Sequence, residues 1–436
     1  MSFLMCMILL TAARAQNVET FTPGDIRAAY DVDTLVDAGY TGKGVTVAIV
    51  NTGIDSTFYS DVDYFSGQYG LPHAAISLVE PSGPAGVDQE SPRAETTIDT
   101  EWVHAMAPDA KILLVLTGYQ WQRLPDGFSY VIDNNTADIA TISPSSFFLA
   151  QQGRDALQLH DREYAKSVAE NITLIAASGD WGSNNSVNPP WLASFPDLYL
   201  IPVYSPYVTV VGGTELTLQS GAYGSETAWN DSGGGPTNDF PEPSWQTGTG
   251  VPQNGYRNIP DVALDASCAR PYAFAWDVGH WNSTGVCGTS LAAPTFAGIM
   301  ADIEQAAGRR LGFLNPVLYS LASSDPSVYH DITSGCSLLQ SGPSTIIPGY
   351  CAHAGWDFVT GWGSIDAARL AKHFAPLAHI ATESISSSIH TSPYSGWWQG
   401  FELLVFPIAA VILVAAFKLR GRAAHSKVGQ GFGKTG

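Results

Sequence analysis

GVCGTSLAAPTFAG, residues 285–298, places a serine where a glycine-bracketed, strand-like segment gives way to small, helix-compatible residues. The glycines permit a tight turn, and Ser290 falls in the first turn of the helix that follows. Backbone N–H groups and the positive helix end there favour a developing oxyanion. A serine in that setting also serves commonly as a plain N-cap, so the stretch raises the question of which base would activate it. None of the ten histidines stands in a helix opening of the HGTH kind. His104, in EWVHAMAPD, fits an ordinary partly buried helix position.

Around this turn the chain alternates. GKGVTVAIV (42–50), AKILLVLTG (110–118), IATIS (139–143), ITLIAAS (172–178) and YVTVVGG (207–213) are apolar or β-branched runs of strand length. ETTIDTEWVHAMA and GRDALQLHDREYAKSVAEN, which lie between them, suit helices. The pattern predicts an α/β fold with a mostly parallel central sheet covered by helices, in one domain over residues 18–372, without internal repeats. Residues 214–260, rich in Gly, Pro, Trp and Asn, read as a long loop system.

Carboxylates are the alternative to histidine. Glu95 and Asp99 in ETTIDTEW are four residues apart, on one face of a helix. If buried, one of the two would hold its proton more tightly. Glutamate can then act as a base in acid, where imidazole, with a pKa of roughly 6.5, is already protonated. The spacing fits equally a solvated acidic face with Glu101 as a third member. Asp180, in LIAASGDWG, follows a strand in a glycine-bracketed turn. A protonated carboxyl there could donate to an oxyanion, and an Asp capping its own turn would look the same.

Lys and Arg number 20 against 40 Asp and Glu, and five of the basic residues lie in the last 19 positions. The remainder carries about −25, which argues against nucleic acid and suits folding in acid. The five are Lys418, Arg420, Arg422, Lys427 and Lys434, and they follow Trp397–Phe417, 21 residues in which only Gln399 and Glu402 are strongly polar. With tryptophans at one end and cations at the other, this reads as one membrane span, a buried core helix being the competing reading. Residues 373–396 form a Ser/Thr-rich tether, and residues 418–436 a basic cytoplasmic tail. The residues before the span are then expected outside a cell membrane.

Residues 1–15 resemble a signal peptide ending in Ala13-Arg14-Ala15, although no basic residue precedes the apolar run; an uncleaved anchor or a displaced start fits too. Cys268, Cys287, Cys336 and Cys351 allow three pairings, the simplest being Cys268 with Cys287 and Cys336 with Cys351.

The segments FTPGDIRAAYDV, ETTIDTEWVHAMAPDAKI, AASGDWG, VTVVGGTE, SETAWNDSGGG, RNIPDVALDA, GTS with Pro294, and GWDFVTGWGSID occur in an order that closely resembles the sedolisin family of serine-carboxyl peptidases, over residues 21–372. The resemblance implies a subtilisin-like three-layer fold and endopeptidase activity on proteins or peptides at acidic pH. It implies Ser290 as nucleophile, Glu95 as base, Asp99 behind it and Asp180 in the oxyanion hole. It also implies one structural Ca2+ on the Asp331 and Asp357 side chains and the carbonyls of Ile332, His353 and Gly355, an oxygen-only set suited to a hard cation. His353 stands where the family usually has glycine.

Two departures matter. Family members are typically made with a long inhibitory prodomain, whereas here the signature begins at Phe21, so a missing or separate prodomain is expected. In IATISPSS the family's strand serine is followed by proline rather than an aromatic residue and glycine. Histidine-triad subtilisins share the GTS-x-x-x-P turn, but Asn51 occupies the place of their aspartate. A catalytically inactive, membrane-tethered binding module is the alternative of a different class.

Overall fold

The computed structural model describes residues 19–83, 93–118, 121–143, 146–183, 198–277, 285–340 and 346–374. These belong to a compact unit ending at Pro376. The expected leader, the 397–417 span and the basic tail lie outside the described residues, as does all of the tether beyond residue 374. No helix among the described residues is long and apolar enough to cross a membrane.

Eight strands form the central sheet: β1 (Thr46–Asn51), β2 (Ala75–Val79), β3 (Lys111–Leu116), β4 (Ile139–Ile142), β5 (Thr173–Ala177), β6 (Thr209–Gln219), β7 (Ala222–Ala228) and β8 (Val262–Asp265). Their order is β8-β6-β5-β4-β1-β3-β2, and all of these neighbours are parallel. β7 pairs antiparallel with the far half of β6. Central strands read as continuous apolar runs because both faces are covered. Val47, Ile49, Ile112 and Leu114 join a core with Trp102, Met106 and Phe296, while Ala48, Val50, Leu113 and Val115 join one with Phe128, Val131 and Tyr164. Alternation along the strands divides one sequence run between two layers.

Two helices cross the first layer. Arg93–Met106 carries Glu95 and Asp99, and Thr289–Ala307 carries Ser290. They meet at Gly298, where a Cβ would lie 2.7 Å from Met106 Cβ and 2.9 Å from the Val103 carbonyl oxygen, so only hydrogen fits. The Ser290 helix is apolar nearly all round, as a helix running through a core must be. β1, β4 and β5 lie side by side in register, with Val50 opposite Ile142 and Ile142 opposite Ala176. Asn51, Ser143 and the Ser178–Asp180 turn therefore arrive together at the carboxyl edge of the sheet, where α/β sites form.

The expected loop system over 214–260 is instead largely stranded. β6 folds back through Ser220 and Gly221, both at positive φ, into β7, and Gly235–Pro241 pairs with Tyr256–Ile259. Glycine and tryptophan interrupt the alternation that would have marked these strands. The segment read as one helix over 153–171 divides into Ala150–Tyr164 and Lys166–Glu170. The simplest cysteine pairing holds: Cys268 bonds Cys287, and Cys336 bonds Cys351.

Arg257 and Asp261 form a fully buried ion pair. Asp302 is a buried carboxyl without such a partner. Neither of its oxygens is hydrogen-bonded, and burial holds its carboxyl well above the usual range, the Arg27 charge opposing and the Asp109 charge adding. A folded-state pKa above the unfolded one contributes stability that is complete below the ordinary carboxylate range and is lost as pH rises toward the folded value, at about 1.4 kcal/mol per pH unit per group. Thermal midpoints are expected to fall from pH 4 to pH 8, and to fall less steeply in Asp302→Asn; equal slopes in melts of the two proteins would refute this.

Candidate active site

Ser290 is the second residue of its helix, following Gly288 at φ 132° and Thr289. A Cβ on Gly288 would lie 2.6 Å from Asp180 Oδ2, so the turn needs glycine both for its backbone angle and for the neighbouring carboxyl. Thr289 ties the two segments together. Its N–H and its hydroxyl donate to Asp180 Oδ1 at 2.8 and 2.7 Å, and its Oγ1 accepts from the Gly179 N–H at 3.0 Å. The Cys268–Cys287 bridge fastens the segment leading into this turn to the loop just after β8.

Glu95 lies in the first turn of its helix and is 5% exposed. The Ser290 side chain lies close enough to act on its carboxylate as a hydrogen-bonding group. Burial pushes its pKa up to about 7, the Ser290 hydrogen bond pulling down and the Asp180 charge pushing further up. Oε1 has no hydrogen-bond partner. Asp99, fully buried one turn on, is held by Ser143 Oγ at 2.5 Å from Oδ1 and more loosely by Asn51 Nδ2 at 3.4 Å from Oδ2. Burial, then the Glu95 charge, raise its pKa well above the usual range. Asp180 keeps partial access to solvent, and desolvation raises its carboxyl despite the two Thr289 hydrogen bonds, with the Asp231 charge adding to the rise.

The structure thus brings Ser290, Glu95, Asp99 and Asp180 together, and the solvated acidic face does not exist. Glu101, its supposed third member, is itself fully buried and accepts from the Ala275 N–H. His104 turns its ring to the Pro72 carbonyl at 2.8 Å, and burial lowers its pKa. Three further residues complete the cluster, none of which was assigned a role in it from sequence. Thr289 stands inside the GTS motif, Asn51 occupies the place of the subtilisin aspartate, and Ser143 is the strand serine of IATISPSS.

No family model matches the chain. Kumamolisin from Bacillus sp. (strain MN-32) is 32% identical over 395 residues, covering 85% of this chain and 66% of the relative. Sedolisin from Pseudomonas sp. (strain 101) is 30% identical over 374 residues, 80% of this chain and 60% of the relative. The solved structure of Pseudomonas sedolisin, a serine-carboxyl proteinase complexed with two molecules of pseudo-iodotyrostatin, superposes with a TM-score of 0.69 at 28% identity over 82% of this chain and 98% of that one. The chain belongs to the sedolisin family. It spans about 60 to 66% of the length of these two curated relatives.

The sedolisin-type metal loop can be tested against the residues present. Asp331 Oδ2 accepts from the Gly355 N–H at 3.0 Å, and Asp357 Oδ2 lies 3.4 Å from the His353 N–H. Both carboxylates therefore face the backbone of residues 353–355, which carries two of the three expected carbonyls. Asp357 Oδ1 also accepts from the Val359 and Thr360 N–H groups at 2.8 and 2.9 Å. Among the described residues no group of three or more His, Cys, Asp or Glu could hold a metal. The donors are two carboxylates plus main-chain oxygens, and that chemistry fits a hard cation better than a transition metal. The Cys336–Cys351 hairpin lies between these ligands in sequence, and its Ser337 shares a 2.6 Å hydrogen bond with Ser183, three residues beyond Asp180.

Because the Ser290 hydrogen bond stabilises the charged form of Glu95, its removal should raise the Glu95 titration. Difference infrared titration of the carboxyl band, referenced to Glu95→Gln, is expected to place Glu95 near its value of about 7. In Ser290→Ala the midpoint should move upward; an unmoved or lowered midpoint would contradict the assigned contact.

Proposed function

We propose that the chain is an acid-active serine-carboxyl endopeptidase working through Ser290, Glu95, Asp99 and Asp180 on protein or peptide substrates. The observation that carries this reading is the Ser290 side chain set against a buried glutamate whose charged form it favours, while His104, on the same helix as Glu95, faces the Pro72 carbonyl instead. As the Ser290 hydroxyl attacks the scissile carbonyl carbon, its proton passes to Glu95. The oxyanion is met by the Ser290 N–H and a protonated Asp180. Collapse breaks the C–N bond, and Glu95 returns the proton to the departing amine. Water then gives its proton to Glu95 while attacking the acyl-enzyme, and the released serine takes that proton back.

Acid suits this arrangement for two reasons. Asp180 can donate only while protonated, and protonating it removes a negative charge that pushes Glu95 upward. The base therefore ionises at lower pH in the competent form than in the fully charged cluster. The carboxyls titrate as a group, and the limbs of the pH profile belong to the group rather than to single residues.

Cleavage of an unfolded protein is expected to vanish in Ser290→Ala and Glu95→Gln. Asp180→Ala should lose roughly a hundredfold in kcat, the loss of one oxyanion donor. Asp180→Asn retains a donor that cannot ionise, so its activity should persist to higher pH than that of the wild type. Wild-type turnover in Asp180→Ala, or an unshifted alkaline limb in Asp180→Asn, would sink the oxyanion role.

We also infer one structural Ca2+ on Asp331, Asp357 and the carbonyls of Ile332, His353 and Gly355, where it would clamp the two ends of the hairpin. At a hundredfold excess over Kd such an ion adds about 2.7 kcal/mol of stability. Chelation should lower the melting midpoint of the wild type and leave Asp331→Asn and Asp357→Asn unchanged; equal sensitivity in all three would remove the site. The 397–417 segment and the basic residues after it support, within the same proposal, a single-pass membrane anchor with the enzyme outside.

A further inference from the structure

Ser143 lies just beyond the end of β4, between two acceptors. Its Oγ is 2.5 Å from Asp99 Oδ1 and 3.3 Å from the carbonyl oxygen of Ser290. A serine hydroxyl has one hydrogen to give. The Ser290 carbonyl sits inside a helix, where the N–H four residues on would normally satisfy it, but that residue is Pro294, which has none. If Asp99 is ionised, the Ser143 hydrogen turns to the charge and the nucleophile's carbonyl loses its donor. If Asp99 holds a proton, both contacts are satisfied at once.

The groups around Asp99 favour the second case. Glu95 on the same helix adds a negative charge, and the partners from the other elements, Asn51 at the end of β1 and Ser143 after β4, are neutral. Burial and the Glu95 charge both favour the protonated form of Asp99.

We propose that Ser143 is a positioning residue: the proton shared by the carboxyl pair rests on Asp99 and is donated to Ser143 Oγ, whose own hydrogen is donated to the Ser290 carbonyl. The inference rests on the serine-carboxyl reading above. It makes the peptide of the nucleophile sensitive to the protonation of a carboxyl that Ser290 does not touch. Loss of the Asp99 proton puts a second charge beside Glu95 and, in the same step, frees the first turn that carries the nucleophile.

The test is a double-mutant cycle on the full chain, with kcat and KM measured on an unfolded protein at the pH of maximal activity. Ser143→Ala should lower kcat about tenfold with KM within about twofold, and Ser143→Thr should restore most of it. In a Pro294→Ala background the new N–H supplies the Ser290 carbonyl, so the cost of Ser143→Ala should shrink to less than about threefold. Wild-type kcat in Ser143→Ala, or the same loss in both backgrounds, overturns the proposal. If Ser143→Ala does not fold, Ser143→Cys, near-isosteric and a weak donor, takes its place in the cycle with the same two outcomes. Activity that survives Ser290→Ala or Glu95→Gln, or a wild type that cleaves nothing, sinks the serine-carboxyl reading and this inference with it. Activity that needs both residues but ignores Ser143 sinks only the inference.

Discussion

Burial of Glu95 and Asp99 without a cation is the constraint on which the site depends. Two carboxyls one helical turn apart would cost little in water, where their repulsion is screened. Placed against the sheet they cannot both ionise cheaply, since desolvation penalises each charge and each charge penalises the other. The arrangement therefore keeps protons on a side chain that would be bare on the surface. The hydroxyls of Ser290 and Ser143 lie against the pair, and each would lower the carboxyl beside it wherever it donates to the ionised form. What results is a pair whose charge is set by its surroundings rather than by ordinary acid strength.

That constraint is imposed by packing far from the chemistry. The Glu95 helix can bring its first turn against Ser290 because Gly298 lets the two helices approach within the reach of a missing side chain. Gly288 does the same for Asp180, leaving room for a carboxyl beside the Ser290 turn. Thr289 then locks that carboxyl by two hydrogen bonds while accepting a third from the opposite loop. Parallel register carries Asn51, Ser143 and Asp180 to one sheet edge from three separate strands. None of these contacts involves the Ser290 hydroxyl or the Glu95 carboxyl, yet each positions a residue of the cluster.

The same preference for buried, unpaired carboxyls extends through the fold. Glu101, Glu226, Asp265 and Asp302 are all buried, and burial raises each of them. Glu226 is the best satisfied, accepting from Tyr30 at 2.8 Å, from Thr214 at 2.6 Å and from Ser364. Asp302 is the least, with no hydrogen bond at all. A chain with this many groups that prefer their neutral form gains stability where protons are abundant, consistent with a site that works by carboxyl chemistry.

The strand-helix alternation, the serine turn and the family of the chain were legible from residues alone, because periodicity and motif order survive without coordinates. The i,i+4 spacing of Glu95 and Asp99 was legible too, but it described a solvated face as well as a buried pair; solvent access is a property of what packs above a helix, which spacing does not encode. The strands within 214–260 were hidden because glycine and tryptophan break the alternation that local pairing across Ser220–Gly221 restores. Asn51 and Ser143 were visible as motif positions but not as partners of Asp99, since those roles come from strand register and from the carbonyl that Pro294 leaves without a donor. Residue order thus determined which chemical groups the protein possesses and the elements that hold them. Only tertiary structure decided which carboxyls lose their water, and that loss, a free-energy cost exacted by neighbours distant in sequence, sets their protonation.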